Sequence, residues 1–179
     1  DLEKIKTSKM NNGSSVNDNL ISLISKIGEK ITIRRSKFFG KKEGNNYFYI
    51  HSSLESNIGK IATVVNLLNC QDKDLGQKIA MHIAASSPLA IDKKGISPKI
   101  IDKEKEIIKA ELANSGKSEE IAEKISIGKI NKFISDNTVL NQIWIMDPKK
   151  KVSDILKENK KDKEIKIIDF IRFKVGEGV

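Results

Sequence analysis

The most regular pattern in this chain is a run of apolar residues at helical spacing between residues 97 and 134, set among lysines and glutamates. Ser97 is a favourable N-cap, and Pro98 suits the first helical position, where its missing N–H costs nothing. The apolar positions of this first helix step by seven residues and predict a single apolar seam. Its members are Ile100, Ile101, Ile107, Ile108 and Leu112.

A break and a second helix follow. Asn114-Ser115-Gly116 predicts the end of the first helix, because glycine adopts the left-handed C′ conformation at little cost. Ser118 predicts the start of the second helix, since Glu119 and Glu120 then lie in its first turn, where the helix dipole favours anions. The apolar set of this helix is Ile121, Ile125, Ile127, Ile130, Phe133 and Ile134. Two helices joined by so short a break must form an antiparallel hairpin.

The rest of the chain alternates short strands and short helices. Period-2 and β-branched patterns predict strands at residues 31–39, 47–51, 59–68, 139–146 and around 171–175, with a polar loop at 52–57. Helices are predicted at residues 20–27, 72–86 and 153–158. The pattern indicates an α+β fold: a small antiparallel sheet of about three strands, packed helices and a protruding helical hairpin.

Charge alone does not identify a function. The net charge is +9, but only Arg34, Arg35 and Arg172 are arginines among 33 basic residues. Lysine, isoleucine and asparagine rise together in proteins from AT-rich genomes, so mutational bias explains the charge as well as nucleic-acid binding does. Base readout favours arginine, and single-strand binding favours interleaved aromatics. Aromatic residues make up only 5% of the chain.

Several classes of site are disfavoured. Cys70 is the sole cysteine, which excludes an internal disulfide and a Cys-based metal site. The string SGKS at residues 115–118 mimics a phosphate-binding loop, but Glu111 stands where the loop needs glycine and a helix precedes it. His51 and His82 are the only histidines, and His82 is assigned to packing. No stretch reaches the roughly 18 apolar residues of a membrane helix. We expect no cofactor, no metal and no enzymatic activity.

Six strings in register resemble the translation elongation factor Ts family. They are KIGEKITIRR at 26–35, YIH at 49–51, IAMHIAAS at 79–86, GKSEEIAEKI at 116–125, IMDP at 145–148 and FIRFKVGEG at 170–178. Each string alone is weak, whereas their common order and spacing from about residue 20 to the end is specific.

The resemblance implies a domain organisation. Residues 1–43 correspond to the end of the family's N-terminal core subdomain, and residues 44–179 to the C-terminal core subdomain. The hairpin at about residues 91–135 corresponds to the family's coiled-coil, or dimerisation, arm. The family's ubiquitin-associated-like domain and Thr-Asp-Phe-Val motif find no match in residues 1–179, so we expect this chain to be part of a longer protein. Ile143-Trp144 replaces a typical Pro-Phe, and Ser118 a typical proline.

The resemblance also implies a function: exchange of guanine nucleotide on elongation factor Tu, in its GDP-bound and nucleotide-free forms. Matching positions assign Ile27 and Gly28 to contacts with the nucleotide-binding domain of that partner, and His51, Ile145 and Met146 to contacts with its other domains. Whether the protein forms a homodimer through the arm stays an open question. Without the missing motif, we expect residues 1–179 to bind but to exchange poorly.

Two further expectations complete the interpretation. The alternative function is a basic RNA- or ribosome-binding module that uses the lysine-rich arm, although direct nucleic-acid contact is not expected for an exchange factor of this kind. The expected location is a bacterial cytoplasm, with a mitochondrion or plastid as alternatives, and no membrane association.

Overall fold

The computed structural model describes residues 2–40, 43–113, 116 and 118–178. The chain divides into two compact units, unit 1 (Asp1–Gly40) and unit 2 (Lys41–Val179). Asn114, Ser115 and Lys117, which contribute to the predicted helix break and to the string at 115–118, lie outside the described residues. The assignment of residues 1–43 and 44–179 to two subdomains stays a prediction.

Unit 1 contains two helices, α1 (Leu2–Thr7) and α2 (Val16–Ile27). A capping box starts α2: the Ser15 hydroxyl accepts from the Asp18 N–H at 3.0 Å, and the Asp18 carboxylate accepts from the Ser15 N–H at 3.3 Å. Gly28 ends α2 in the left-handed conformation at φ +74°. The predicted helix at residues 20–27 is therefore confirmed and begins earlier than its apolar residues indicate.

The predicted strand at residues 31–39 is wrong. Residues 29–40 carry no regular secondary structure. Alternation of Ile31 and Ile33 with polar residues favours an extended chain, but a strand also needs a neighbour that takes its backbone hydrogen bonds. The described part of unit 1 contains no strand that could serve as that neighbour.

Unit 2 is built on an antiparallel three-stranded sheet with the order β1 (Asn45–Glu55), β2 (Ile58–Leu68) and β5 (Lys166–Lys174). The α+β class is confirmed. Val65 pairs with both Tyr47 and Phe170, so one row of the sheet runs across all three strands. The strand predicted around residues 171–175 is present as β5, and its Arg172 contacts α3 (Lys73–Ser86), where the Nε donates to the Ala84 carbonyl at 3.0 Å.

The predicted polar loop at residues 52–57 is mostly strand. β1 continues to Glu55, and only Ser56 and Asn57 form the turn, with Asn57 at φ +64°. This end of the hairpin extends beyond the core and is exposed on both faces. Its pairing with β2 therefore needs no apolar alternation, and the sequence pattern did not reveal it.

The helix α3 covers the sheet and forms the main core. Asp72 caps it, because its carboxylate accepts from the N–H groups of Asp74 and Leu75 at 2.9 and 3.1 Å. The apolar residues without exposed surface at the centre of this core are Val65, Leu67, Ile79, Ala80, Ile83, Val139 and Val152. The prediction of a helix over residues 72–86 is confirmed.

The predicted hairpin is present as α4 (Pro98–Ala113) and α5 (Glu119–Asn137), which pack on each other. We call these two helices the arm. The single seam predicted for α4 is wrong: Ile108 is buried and Ile101 half-buried, whereas Ile100 and Ile107 are exposed. A helix that packs against one partner buries only a narrow stripe, so two of the five predicted apolar positions stay exposed. None of the helices in the described ranges combines the length and apolarity needed to cross a bilayer.

The predicted strand at residues 139–146 is wrong in extent. Only Ile143–Trp144 is strand (β3), and it pairs with β4 (Asp147–Lys151), which leads into α6 (Val152–Glu158). Before β3 the chain turns, since the N–H groups of Asn141 and Gln142 both donate to the Thr138 carbonyl. The apolar pattern reflects burial of Val139 and Trp144 at separate points of the core rather than one continuous strand.

Candidate partner-binding surface

The turn between β3 and β4 exposes apolar side chains where turns normally carry polar ones. Trp144 pairs with Asp147 across the hairpin, so Ile145 and Met146 occupy the two central turn positions. Both are more than 40% exposed, and Ile143 is 60% exposed. Two-residue hairpin turns favour asparagine, aspartate and glycine where the backbone has a positive φ, but neither Ile145 nor Met146 has one, so this backbone accepts any residue. The turn thus presents two adjacent apolar side chains to solvent, and Ile143 adds a third.

Trp144 holds the base of this turn in the core. It is 5% exposed, and its indole stacks on the imidazole of His82, with ring centroids 5.2 Å apart and planes inclined by 24°. His82 has no exposed surface, as the assignment to packing predicts. The exposed pair Ile145–Met146 therefore begins one residue after a fixed aromatic ring.

The protonation of His82 follows from its neighbour Gln142. The Gln142 amide nitrogen donates to the carbonyls of Ser86 and Asp136 at 3.2 and 2.7 Å. Its oxygen must then accept from Nε2–H of His82, 3.0 Å away. Nδ1 of His82 has no hydrogen-bond partner among the described residues. Burial lowers the pKa of His82, while the bond to Gln142 opposes that shift.

We expect the protein to lose stability as the pH falls below 6.5, the ordinary pKa of histidine. Because the folded pKa is lowered, the unfolded chain binds a proton at a pH where the native His82 does not, and the free energy of unfolding therefore rises with pH. One proton contributes a slope of at most about 1.4 kcal/mol per pH unit. Urea unfolding between about pH 5 and pH 8 measures it.

The matched control is His51, which is exposed. His51→Gln should keep the loss of stability at low pH, and His82→Gln should flatten it. Equal pH profiles for wild type and His82→Gln would contradict the assignment of this titration to His82.

His51 lies near the outer end of β1, with its Nδ1 3.1 Å from the hydroxyl of Tyr49. Tyr49 is half-buried and packs against the main core. The two residues are two apart in the strand and thus share one face. Tyr49 therefore restricts the orientation of the exposed imidazole, a role that the sequence interpretation did not assign.

Ile27 and Gly28 lie in unit 1, at the end of α2. Ile27 is 49% exposed. The N–H of Gly28 donates to the Ile24 carbonyl at 2.8 Å and closes the helix. The positive φ of Gly28 explains why glycine is needed here on backbone grounds alone.

The structure places the five predicted contact residues in three locations. Ile145 and Met146 are neighbours in one turn, His51 lies in the three-stranded sheet, and Ile27 with Gly28 belongs to unit 1. Sequence reasoning missed Ile143 and Gln142; the alternation of Ile143 with Ile145 was the available signal for the first. Within the described ranges, no group of three or more His, Cys, Asp or Glu side chains could hold a metal ion.

Comparison with known proteins gives a consistent result over the whole length. The family model described as Elongation factor TS matches residues 1–177. The chain is 35% identical to "Elongation factor Ts" of Rickettsia akari, with 99% of this chain and 60% of the relative aligned. It is also 35% identical to the proteins of the same name from Gluconobacter oxydans and Erythrobacter litoralis, with all of this chain and 59% and 60% of those relatives aligned. The chain thus spans about 60% of the length of the relatives it matches.

Proposed function

Because the chain belongs to the elongation factor Ts family, we propose that it binds elongation factor Tu and promotes the release of GDP from it. The observation that carries this proposal is the family match over residues 1–177. The exposed Ile145–Met146 turn supports it, since two apolar side chains on a fixed base suit a protein partner. A bacterial cytoplasm is the proposed location, with a mitochondrion or plastid as alternatives.

Exchange of this kind needs no covalent chemistry. A protein that binds the nucleotide-free partner more tightly than the loaded one must weaken nucleotide binding by the same factor. A hundredfold weakening corresponds to about 2.7 kcal/mol of coupling free energy. That energy comes from contacts made only with the nucleotide-free conformation. We propose Ile27, Gly28, His51, Ile145 and Met146 as residues that make contacts with the partner.

The test measures both binding and exchange. Residues 1–179 are expected to bind nucleotide-free elongation factor Tu, and to accelerate release of fluorescent GDP less than the complete Rickettsia akari protein does. The reason is that contacts outside this 60% of the family length are missing from the assay. Absence of binding at micromolar concentrations would contradict the proposal. Exchange equal to that of the complete relative would contradict the expected deficit.

RNA binding by the arm is the alternative, and it receives no specific support. Arm lysines contact acidic groups: Lys105 pairs with Asp102 at 3.3 Å, and Lys124 with Glu120 at 2.7 Å. The two helices of the arm carry no excess of positive charge, because α4 contains four lysines and four acidic residues and α5 contains three lysines and four acidic residues. Phosphate contacts would make RNA affinity fall steeply with salt, so a salt titration distinguishes this alternative from binding to elongation factor Tu.

A further inference from the structure

One buried amide contacts the ends of two helices. Gln142 is only 6% exposed. The carbonyls that its Nε2 reaches belong to Ser86, the last residue of α3, and to Asp136, the second-last residue of α5. The last four carbonyls of a helix have no partner within the helix. Gln142 therefore caps the carboxyl ends of α3 and α5 with one side chain.

The backbone of Gln142 connects two more segments. Its N–H donates to the Thr138 carbonyl at 3.0 Å, and its carbonyl accepts from the N–H of Val152, the first residue of α6, at 3.1 Å. All hydrogen-bonding groups of this residue are thus used. A residue tied in this way cannot shift without breaking several buried bonds, each costly to leave unmade.

The two helix-end carbonyls and His82 together fix which way the Gln142 amide points. Because Nε2–H of His82 donates to the amide oxygen, the amide nitrogen is directed at the two helix ends. Reversal of the amide would place its oxygen against two carbonyl oxygens, which repel it. The same imidazole stacks on Trp144, the residue before the exposed turn. His82 thus contacts both the amide that caps the two helices and the tryptophan at the base of the turn.

An apolar side chain of similar length could fill this volume. Well-packed hydrophobic replacements of buried polar groups are often neutral for stability, whereas polar networks specify one arrangement of the elements around them. The network formed by His82, Gln142 and Trp144 joins α3, the arm and the Ile145–Met146 turn. The network thus connects the last residues of α3 and α5 with the residue that precedes the turn.

We propose that Gln142, oriented by His82, is a positioning residue for partner binding, which holds the arm and the Ile145–Met146 turn in one fixed arrangement on α3. This inference rests on the proposed function, because the arrangement affects affinity only if one partner contacts both the arm and the turn. Neither residue touches the partner; both act through the elements that they hold.

The test replaces Gln142 by methionine, which has similar length and no amide. We expect the Q142M protein to stay folded by circular dichroism and to bind nucleotide-free elongation factor Tu about tenfold more weakly, within the range for substitutions that touch neither ligand. The sole tryptophan, Trp144, supplies a second readout: its emission should shift and become more accessible to acrylamide. His82→Asn should reduce affinity about threefold by the same route, and it decides the question if Q142M does not fold.

The matched control is Ile79→Val, a fully buried change in α3 that removes none of the hydrogen bonds of the network. It should lower the urea midpoint and leave affinity and Trp144 emission unchanged. If Q142M and His82→Asn lose stability but bind like Ile79→Val, the role is only structural and the proposal is wrong. A wild-type chain that does not bind elongation factor Tu overturns the proposed function and this inference together, so the two failures are distinguishable.

Discussion

Replacing Gly76 by alanine is expected to destabilise the protein, although alanine is the better helix former. Gly76 lies inside α3, and a Cβ atom added there would approach Cγ of Tyr47 to 2.2 Å. The Tyr47 ring cannot retreat easily, because its hydroxyl donates to the Cys70 carbonyl at 2.8 Å. Overpacking of this kind costs about 1–3 kcal/mol, against a gain in helix propensity of about 1 kcal/mol. We expect a net loss of up to about 2 kcal/mol in the free energy of unfolding.

The same substitution at Gly128 is the matched control. Gly128 lies inside α5, and an added Cβ would meet no atom within 4 Å. Gly128→Ala should therefore stabilise the protein by about 0.5–1 kcal/mol, the difference in helix propensity. Urea unfolding of both variants measures the effect. Changes of the same sign at the two positions would show that the contact between Gly76 and Tyr47 does not decide the packing of α3 on β1.

Replacing Ile145 by aspartate is expected to reduce affinity for elongation factor Tu at least tenfold. Ile145 is 42% exposed at the tip of the β3–β4 turn, so the charge remains hydrated in the free protein and folding should be little affected. In a complex the carboxylate would lose its hydration without gaining a hydrogen-bond donor or a cation. This desolvation costs far more free energy than the lost apolar contact contributes. Titration against nucleotide-free elongation factor Tu measures the loss, and Met146→Asp should behave similarly.

Ile168→Asp controls for the added charge. The exposed fraction of Ile168, 39%, is similar to that of Ile145. Ile168 lies in β5, however, and is not one of the predicted contact residues. Its aspartate variant should bind within about twofold of wild type, as surface changes away from special features usually have small effects. Equal losses of affinity for Ile145→Asp and Ile168→Asp would contradict the assignment of the turn to the binding surface. Loss in Ile145→Asp alone would support the contact.

Local signals were sufficient for the elements whose ends carry their own chemistry. Asp72 caps α3, Gly28 closes α2, and Pro98 begins α4, and these ends were predicted correctly, whereas the start of α2 lies four residues before its predicted position. β2 was predicted because it is rich in β-branched residues. In the structure it lies at the centre of the sheet, where it pairs with β1 and β5. For the helices, the interactions that define the ends lie within a few residues of one another, whereas β2 is also stabilised by β5, which is distant along the chain.

The failures share a different cause. Residues 31–39 have the composition of a strand but no neighbouring strand in the described part of unit 1, and β1 gains its outer residues by pairing with β2 rather than from an apolar pattern. Strand formation depends on a partner that is distant in sequence, so composition is a weak guide to it. The contact residues were assigned by resemblance to a family, and their roles remain predictions.

The amino-acid order alone was enough to predict the α+β class, the helical arm and the resemblance to the elongation factor Ts family, because periodicity, capping residues and ordered strings are properties of neighbouring residues. How the Ile145–Met146 turn is held depends instead on contacts between distant parts of the chain. Gln142 lies 60 residues from His82 and 56 from Ser86 along the chain. The position of its amide between two helix ends follows from packing, since a buried polar group is stable only where all its partners converge.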